Sequence, residues 1–471
     1  MKTYQDLIEI GENDAARKKF ILDAIGEHKS SQMYRIAADA VEYEAQRNVT
    51  ITKYQKLLYD LKGQAVPDRF TANHKCASNF FDRFVTQRVS YLLGNGVSFE
   101  KNDTKAKLGK NIDTVLYKGV KDAVVQGVAF GFFNFDSVKI FKLLEFVPLY
   151  DEENGALRAG IRFWQVSNDK PLRATLYEED GYTDYIKRDG DDALTVISEK
   201  KTYREKVVTS EADGTEIYEG ENYPSFPIVP LWGSTKKQSA LVGMRENIDC
   251  YDLIKSGFAN DLDDASFIYW TLENAGGMGD IDLAQFVERM KTLRAAVVDG
   301  DNGAKATAHT MEVPYESREI YLKILKNDMY DDFMALNVSE IAAGNVTATQ
   351  IEAAYEPLNE KADELEFCII DFITGILTVA GIADDVPTFK RSQIRNMKEQ
   401  TEMVLAAAEY IDDETVLKKL PWLTDDEING ILKRKDAEDG AKYGAPIQKG
   451  AQNQNPATGK KTGTEGEEDE E

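Results

Sequence analysis

Between Tyr223 and Ile382 the chain spells an order of elements that few folds can hold. Strand-like PSFPIVPLWGS gives way to a long helical pattern, Gln238–Ser266, running through Ile248, Asp249, Tyr251 and Ser256. An insert, Phe267–Pro314, follows; it reads as strand FIYWTLE, helix Ile281–Leu293 and strand AAVVD. A second helix, Tyr315–Leu336, sets Leu322, Leu325, Met329, Phe333 and Leu336 on one side. At ~1.5 Å per residue it spans roughly 33 Å. Then comes the small-residue loop NVSEIAAGNVTATQ and a third helix. Thr347-Ala-Thr-Gln350 and Thr349-Gln-Ile-Glu352 are overlapping capping boxes that predict its start. Its apolar face runs through Ile351, Tyr355, Leu358, Ala362, Leu365, Ile369 and Phe372. Pro357 has no N–H to give and crowds the preceding turn, which predicts an interruption, a kink near residues 353–357.

The rest of the chain divides by hydrophobic period. Residues 1–65 are helical in texture: Ile36, Ala37, Ala40, Val41 and Tyr43, then Ile51, Tyr54, Leu57, Leu58 and Leu61. Asn73–Leu93 continues with Phe80, Phe81, Phe84, Val85, Val89, Leu92 and Leu93, a core face that Gly94 stops. Ile112–Phe130 reads as a further helix despite Gly119 and Gly127. From Phe132 to Trp232 the period changes to two. It predicts strands Ile140–Phe146, Ala159–Val166, Ala174–Tyr177, Thr183–Lys187, Leu194–Ser198 and Lys206–Thr209, separated by turns such as Glu153-Asn154-Gly155, Asp189-Gly190-Asp191 and Asp213-Gly214. These form a twisted antiparallel sheet with one face on the helices, so the fold class is α+β. Met403–Tyr410, Glu414–Leu420 and Asp425–Lys435 are shorter helices, the last capped by Thr424 with Glu427. From Asp436 apolar residues thin out, and the acidic ending EGEEDEE predicts a disordered tail.

Composition narrows the function. The 471 residues suffice for several cores. The net charge of −25 argues against electrostatic wrapping of DNA or of an anionic membrane, though not against DNA that slides past. Cys76, Cys250 and Cys368 lie far apart, match no zinc spacing and suggest a reducing compartment. The start of the chain lacks the apolar core of a signal peptide, and the longest apolar run, Cys368–Ile382, is too short to span a bilayer and carries Asp371.

Motifs with chemistry are missing. Gly459-Lys460-Lys461-Thr462 lacks the earlier glycine of a phosphate loop and sits in the tail. Gly94-Asn95-Gly96 is a turn, lacking the third glycine of a dinucleotide fingerprint. Asp299-Gly-Asp301-Asn-Gly303 fails the calcium-loop pattern. Asp261-Leu-Asp263-Asp264 reads as a solvated helix end rather than a metal site. His28, His74 and His309 are isolated, and no carboxylate pair stands out. No cofactor is expected, and the chain reads as a part of a machine rather than an enzyme.

Four stretches, in order, resemble the portal proteins of tailed bacteriophages, of the kind found in siphovirus-like phages of Gram-positive bacteria. They are Asn79–Phe99 (NFFDRFVTQRVSYLLGNGVSF), Phe226–Ser256 (FPIVPLWGSTKKQSALVGMRENIDCYDLIKS), Asn345–Phe372 and Ile411–Ile428 (IDDETVLKKLPWLTDDEI). Trp232-Gly233 departs from the resemblance, since such proteins often carry Asn there. The resemblance implies a wing (1–235), a first stem helix (236–266), a clip (267–314), a second stem helix (315–336), a tunnel loop (337–350), a kinked helix returning to the wing (351–385), a helical crown (386–435) and the acidic tail (436–471). It implies a ring of about twelve subunits at one capsid vertex of the virion, assembled in the host cytoplasm, through which double-stranded DNA enters and leaves. Expected partners are the terminase large subunit, head-completion or adaptor proteins, and the major capsid and scaffolding proteins, with no membrane. The alternative is another head–tail structural or adaptor protein. In the implied tunnel loop Asn337, Val338, Ser339, Glu340 and Asn345 are expected nearest DNA, and Lys323 and Lys326 on the second stem helix are the candidate sparse basic ring. The loop has no Lys or Arg and one acid, Glu340, and its Ala342, Ala343 and Gly344 favour backbone movement.

Overall fold

A computed structural model of the chain describes residues 1–435 apart from 60–61, 69–70, 102, 210–215, 266–268, 274–278, 294–304, 310–313, 343–346, 384, 393–396, 421–422, 424–427 and 429. Two compact units emerge, Met1–Ile394 and Arg395–Glu471.

The first unit opens with four helices, α1 (Tyr4–Ile10), α2 (Asp14–Ser30), α3 (Gln32–Glu44) and α4 (Val49–Lys53). Thr3, Asn13, Ser31 and Asn48 cap them, each side-chain oxygen accepting first-turn amides that the helix leaves unpaired. A small hairpin, β1 (Leu57–Tyr59) and β2 (Ala65–Pro67), precedes α5 (Phe80–Leu93), β3 (Val97–Ser98), α6 (Thr104–Lys107) and α7 (Ile112–Gln126). Next come β4 (Val128–Asn134), β5 (Ser137–Lys142), a 3-10 turn at Leu143–Glu145, β6 (Phe146–Tyr150), β7 (Leu157–Trp164), β8 (Leu172–Glu178), β9 (Gly181–Lys187), β10 (Thr195–Lys201), β11 (Arg204–Thr209), β12 (Glu216–Glu221) and β13 (Ile228–Trp232). The chain continues through α8 (Arg245–Ala265), β14 (Tyr269–Glu273), α9 (Asp280–Leu293), β15 (Lys305–His309), α10 (Tyr315–Asp332), α11 (Val338–Ala342), α12 (Ala348–Ala380) and β16 (Thr388–Phe389). The second unit holds α13 (Met397–Ala407) and α14 (Asp413–Lys419), packed through Val404, Val416 and Leu420; Ile428 and residues 430–435 are also helical.

The α+β class stands, but the sheet is not single. A five-stranded antiparallel sheet, β10-β9-β8-β7-β6, is separate from a three-stranded one, β13-β4-β5. The larger sheet covers α1 and α2, burying Val147, Leu149, Ile161 and Leu176 against Leu7, Phe20, Ile21 and Ile25. The smaller lies among α5, α7 and α12, where the main core gathers. A run of rings, Phe130, Phe132, Phe141, Phe146 and Tyr177, joins the two sheets.

Several elements differ from expectation for local reasons. The helix expected over Ile112–Phe130 ends at Gln126. Gly127 takes φ 96°, which L side chains avoid, and donates its amide back to Ala123 O at 2.7 Å. The next residues form the central strand β4, buried over its first six positions, so no alternation marked it. The strand expected at Ile140–Phe146 is broken by the 3-10 turn into β5 and β6. Leu57, expected on a helix, pairs with Pro67 in the β1–β2 hairpin. The helix expected over Asn73–Leu93 begins only at Phe80. The one expected over Gln238–Ser266 begins at Arg245, because residues 238–244 turn against α7, with Ala240 N donating to Val124 O at 3.0 Å and Gly243 at φ 86°. The one expected over Tyr315–Leu336 stops at Asp332, with Met334 at φ 55°. The helix expected at Met403–Tyr410 lies at Met397–Ala407. Strand AAVVD, the Thr424–Glu427 cap and the tail lie outside the described residues; β14 pairs instead with β15, which had no sequence signal.

The helix α12 is capped by Thr347 with the expected capping box to Gln350 and runs 33 residues, Ala348–Ala380, before Gly381 closes it at φ 66°. Pro357 does not interrupt it. It lies across β13 and β4, where two glycines make room. A Cβ on Gly131 would sit 2.4 Å from the ring of Phe372, and one on Gly375 would sit 2.7 Å from Val229. Gly131→Ala is expected to cost about 1–3 kcal/mol by overpacking, read as a lower denaturation midpoint at unchanged m-value. Gly233 is equally constrained, since its Cβ would fall 2.2 Å from Ala123 O; no side chain fits where the resemblance leads one to expect Asn.

Candidate functional site

The stretch that begins at Tyr223 is held by polar staples. On α8, Ile248 is fully buried, and the Tyr43 hydroxyl donates to Asp249, which also faces Arg245 at 3.7 Å. Tyr251 sits edge-on to Phe80 at 5.0 Å. Asp252 is fully buried, accepting from Asn48 Nδ2 and Ser78 N, both at 2.9 Å; burial raises its pKa, and those bonds oppose the rise. Ser256 Oγ accepts from Cys76 N at 2.9 Å. The run Ile248, Asp249, Tyr251 and Ser256 therefore belongs to a face that fastens α8 to residues 43–80.

Alongside α8 runs α10. Arg318 pairs with Asp261 and stands 5.9 Å over the ring of Phe258; Asn247 Nδ2 donates to Asp332 Oδ2 at 3.0 Å near the other end. Between the two helices in sequence lies the insert β14–α9–β15, in register Tyr269↔His309 to Glu273↔Lys305. Asp263, on the helix end read from sequence as solvated, is half exposed and meets the His74 imidazole.

The far end of α10 is gripped by α5. Phe84 stacks on Phe333 at 5.1 Å and stands edge-on to Tyr330 at 4.9 Å. Gln87 clamps the backbone of Leu336 at both groups, its Nε2 donating to the carbonyl and its Oε1 accepting the amide, each at 2.9 Å. Arg88, 4% exposed, donates to Phe333 O at 3.3 Å and lies over the Phe333 ring at 4.2 Å. Burial pushes its guanidinium down to about 10, with the Glu364 carboxylate opposing, so it stays charged at neutral pH. One helical turn further on, Tyr91 stacks on Tyr355 at 5.7 Å and donates its hydroxyl to Asn359 of α12. One helix thus holds the Leu336 end of the segment between α10 and α12 and also grips α12 at Tyr355 and Asn359. Gln87→Leu is expected to free the Leu336 amide and cost about 1–3 kcal/mol, because buried backbone groups lose their partner. Faster hydrogen exchange at Leu336, with α5 itself still protected, would show it.

A second anchor ties the start of this stretch to α12. Glu364 accepts from Thr235 N at 3.1 Å, from the Thr235 hydroxyl and from Lys361 Nζ at 2.6 Å. Burial pushes its carboxyl up, but these bonds outweigh it and hold the group at about 2. A depressed carboxylate pKa adds stability above the unfolded value, about 4.5, and loses it as pH falls towards 2. Glu364→Gln is therefore expected to flatten the pH dependence of stability in that window.

Of the residues singled out in the sequence, Asn337, Val338 and Ser339 come together at the start of α11. Ser339 is exposed and its hydroxyl donates to Asn337 Oδ1 at 3.0 Å. Asn337 is half-buried beside a 640 Å³ cavity shared with Tyr330, Ile341, Gln350 and Pro357. Val338 lines a 730 Å³ cleft with Arg83, Gln87 and Tyr251. Glu340 lies within α11, and Asn345 lies outside the described residues. The segment expected to be a loop thus carries a short helix. Lys323 is 70% exposed but paired with Glu319 at 2.8 Å; Lys326 is half-buried, its Nζ 6.0 Å over the Tyr330 ring. Sequence reading missed Gln87, Arg88 and Asn48, whose partners are 249, 245 and 204 residues away. Among the described residues no group of three or more His, Cys, Asp or Glu is placed to hold a metal, and no helix is long and apolar enough to cross a membrane.

Residues 24–441 match the family described as phage portal protein, SPP1 Gp6-like. The portal protein of Bacillus phage SPP1 is 24% identical over 452 residues, 89% of this chain and 86% of that protein. The portal protein of Clostridium phage phiCD119 is 31% identical over 213 residues, 44% of this chain; the match spans about half that relative's length, 47%.

Proposed function

The chain belongs to the SPP1 Gp6-like family of phage portal proteins, and from that membership we propose that about twelve copies form a ring at one capsid vertex, a conduit for double-stranded DNA during packaging and ejection. Portal proteins are components of the virion, and assembly would take place in the host cytoplasm. The observation that carries the reading is a family match over most of the chain, coinciding with the order α8, α/β insert, α10, short segment, α12.

Residues 1–235 would form the wing, and 236–266 and 315–336 the paired stem helices. The clip, 267–314, would dock the terminase large subunit and later the head-completion or adaptor protein. Residues 337–350 would form the tunnel loop, with Asn337, Val338, Ser339, Glu340 and Asn345 nearest the DNA. Residues 351–385 would return to the wing, and 386–435 would form the crown. Capsid and scaffolding proteins would surround the ring. Lys323, already neutralised by Glu319, makes a weak basic ring, and Lys326 leans onto Tyr330. Such a conduit needs no chemistry of its own. Twelve copies of −25 give a ring of formal charge −300, and an acidic lumen repels phosphate and lets DNA slide. Mass photometry of the purified chain tests the ring: a population near twelve chain masses supports it, and a monomer persisting at high concentration counts against it.

A further inference from the structure

The β1–β2 hairpin pairs with neither larger sheet. An isolated two-stranded hairpin is marginal in water unless something covers a face. Yet Leu57 is 49%, Tyr59 75% and Val66 41% exposed, and Tyr54 beside them 53%. Exposed apolar side chains this dense mark an interaction surface rather than ordinary scatter. The segment 53–69 also runs against the acidic character of the chain, with Lys53, Lys56, Lys62 and Arg69 against Asp60 and Asp68.

The segment that follows the hairpin fixes it at a defined height on α8. Cys76 N donates to Ser256 Oγ at 2.9 Å, His74 N to Asn260 Oδ1 at 2.6 Å, and the His74 imidazole meets Asp263. Lys75 Nζ donates to the carbonyls of Thr52 at 2.6 Å and Tyr54 at 2.9 Å, tying that foot to the strand's approach. At the same height Arg318 of α10 pairs with Asp261 of α8. From its first turn, level with Arg318, α10 carries along most of its length a stripe at four-residue spacing, Glu316, Ile320, Ile324 and Asp328, all exposed, with Ile320 at 59% and Ile324 at 48%. Two apolar side chains flanked by acids complement an apolar hairpin carrying lysines.

We propose that the β1–β2 hairpin of one subunit lies across the Glu316–Ile320–Ile324–Asp328 stripe of the next. The inference rests on the ring reading. Rotation about a ring axis leaves heights unchanged. With α8 and α10 running along the channel, a hairpin rooted level with Asp261 therefore meets its neighbour level with that neighbour's Arg318. The contact is heterologous, hairpin on one side and stripe on the other, which is the kind that closes a ring. The partner is a second copy of this chain, whose acid-flanked stripe is opposite in charge to the lysine-bearing hairpin and offers two exposed isoleucines to its exposed apolar side chains.

Cross-linking tests it. In the full chain with Cys76, Cys250 and Cys368 replaced by Ser, Tyr59→Cys and Ile324→Cys together should give, on oxidation, a ladder of covalent multimers that thiol reductant collapses; either cysteine alone should give none. A ring without the ladder, or a link confined within one chain, overturns the proposal while leaving the ring standing. A monomeric parent chain sinks the ring reading itself. With the three cysteines in place, Lys56→Glu with Lys62→Glu should raise the concentration for half-assembly about tenfold, and adding Glu316→Lys with Asp328→Lys should recover most of it. Unaltered assembly of the first variant, or no recovery in the swap, also overturns the contact.

Discussion

A ring in which every subunit carries Ser339→Lys is expected to grip duplex DNA that the natural ring lets pass. Ser339 is exposed at the start of α11, in a segment with no Lys or Arg and one acid. One added ammonium group from every subunit, all at one level, would meet several phosphates at once. A protein that neutralises six to ten phosphates loses about 10³–10⁵ in affinity between 50 and 200 mM salt, so the variant should show steep salt-dependent retention. The natural ring should show almost none. The measurement is DNA retention on purified rings across a salt series, together with packaged DNA per particle, which should fall. A flat salt series for the variant would place Ser339 away from the DNA. Tight, salt-sensitive binding by the natural ring would contradict the repelling lumen.

Phe84→Ala is expected to be the most destabilising single change at the base of that segment. Phe84 is 1% exposed and touches Phe80, Tyr330 and Phe333 through its ring. Truncating a buried phenylalanine costs about 3–5 kcal/mol, part transfer and part cavity. Here the cavity opens beneath the end of α10, so Gln87 and Arg88 lose the surface that positions them against Leu336 and Phe333. Denaturant titration should show the loss. Phe84→Ala combined with Phe333→Ala should cost less than the sum, because both remove the same stacked pair. Full additivity would mean that the stack does not hold α10.

The sequence was most legible where one period ran long. The helix α12, its capping box at Thr347 and its apolar face from Ile351 to Phe372 all followed from spacing. The helix–insert–helix order was readable for the same reason. Legibility failed where burial removed the alternation, as in β4, and where one glycine decided a boundary, as at Gly127. The hairpin at Leu57 failed differently: its leucines and tyrosines also fit a helical period, and only pairing with Ala65–Pro67 decides the matter. The base of the 337–350 segment was not legible at all. Gln87, Arg88 and Tyr91 read as an ordinary helix face, and their roles exist only because Leu336, Phe333 and Asn359 are brought to them across more than two hundred residues. Local spacing carries no such information.

Electron cryo-microscopy of the purified full chain shows whether it closes into a ring and which segment narrows the channel. The expected map shows a closed ring with a central channel, α8 and α10 along its wall, residues 337–350 at the narrowest level, and a lumen poor in Lys and Arg. A stable monomer at high concentration would contradict it, as would a ring whose constriction is built from another segment or lined mainly by basic side chains.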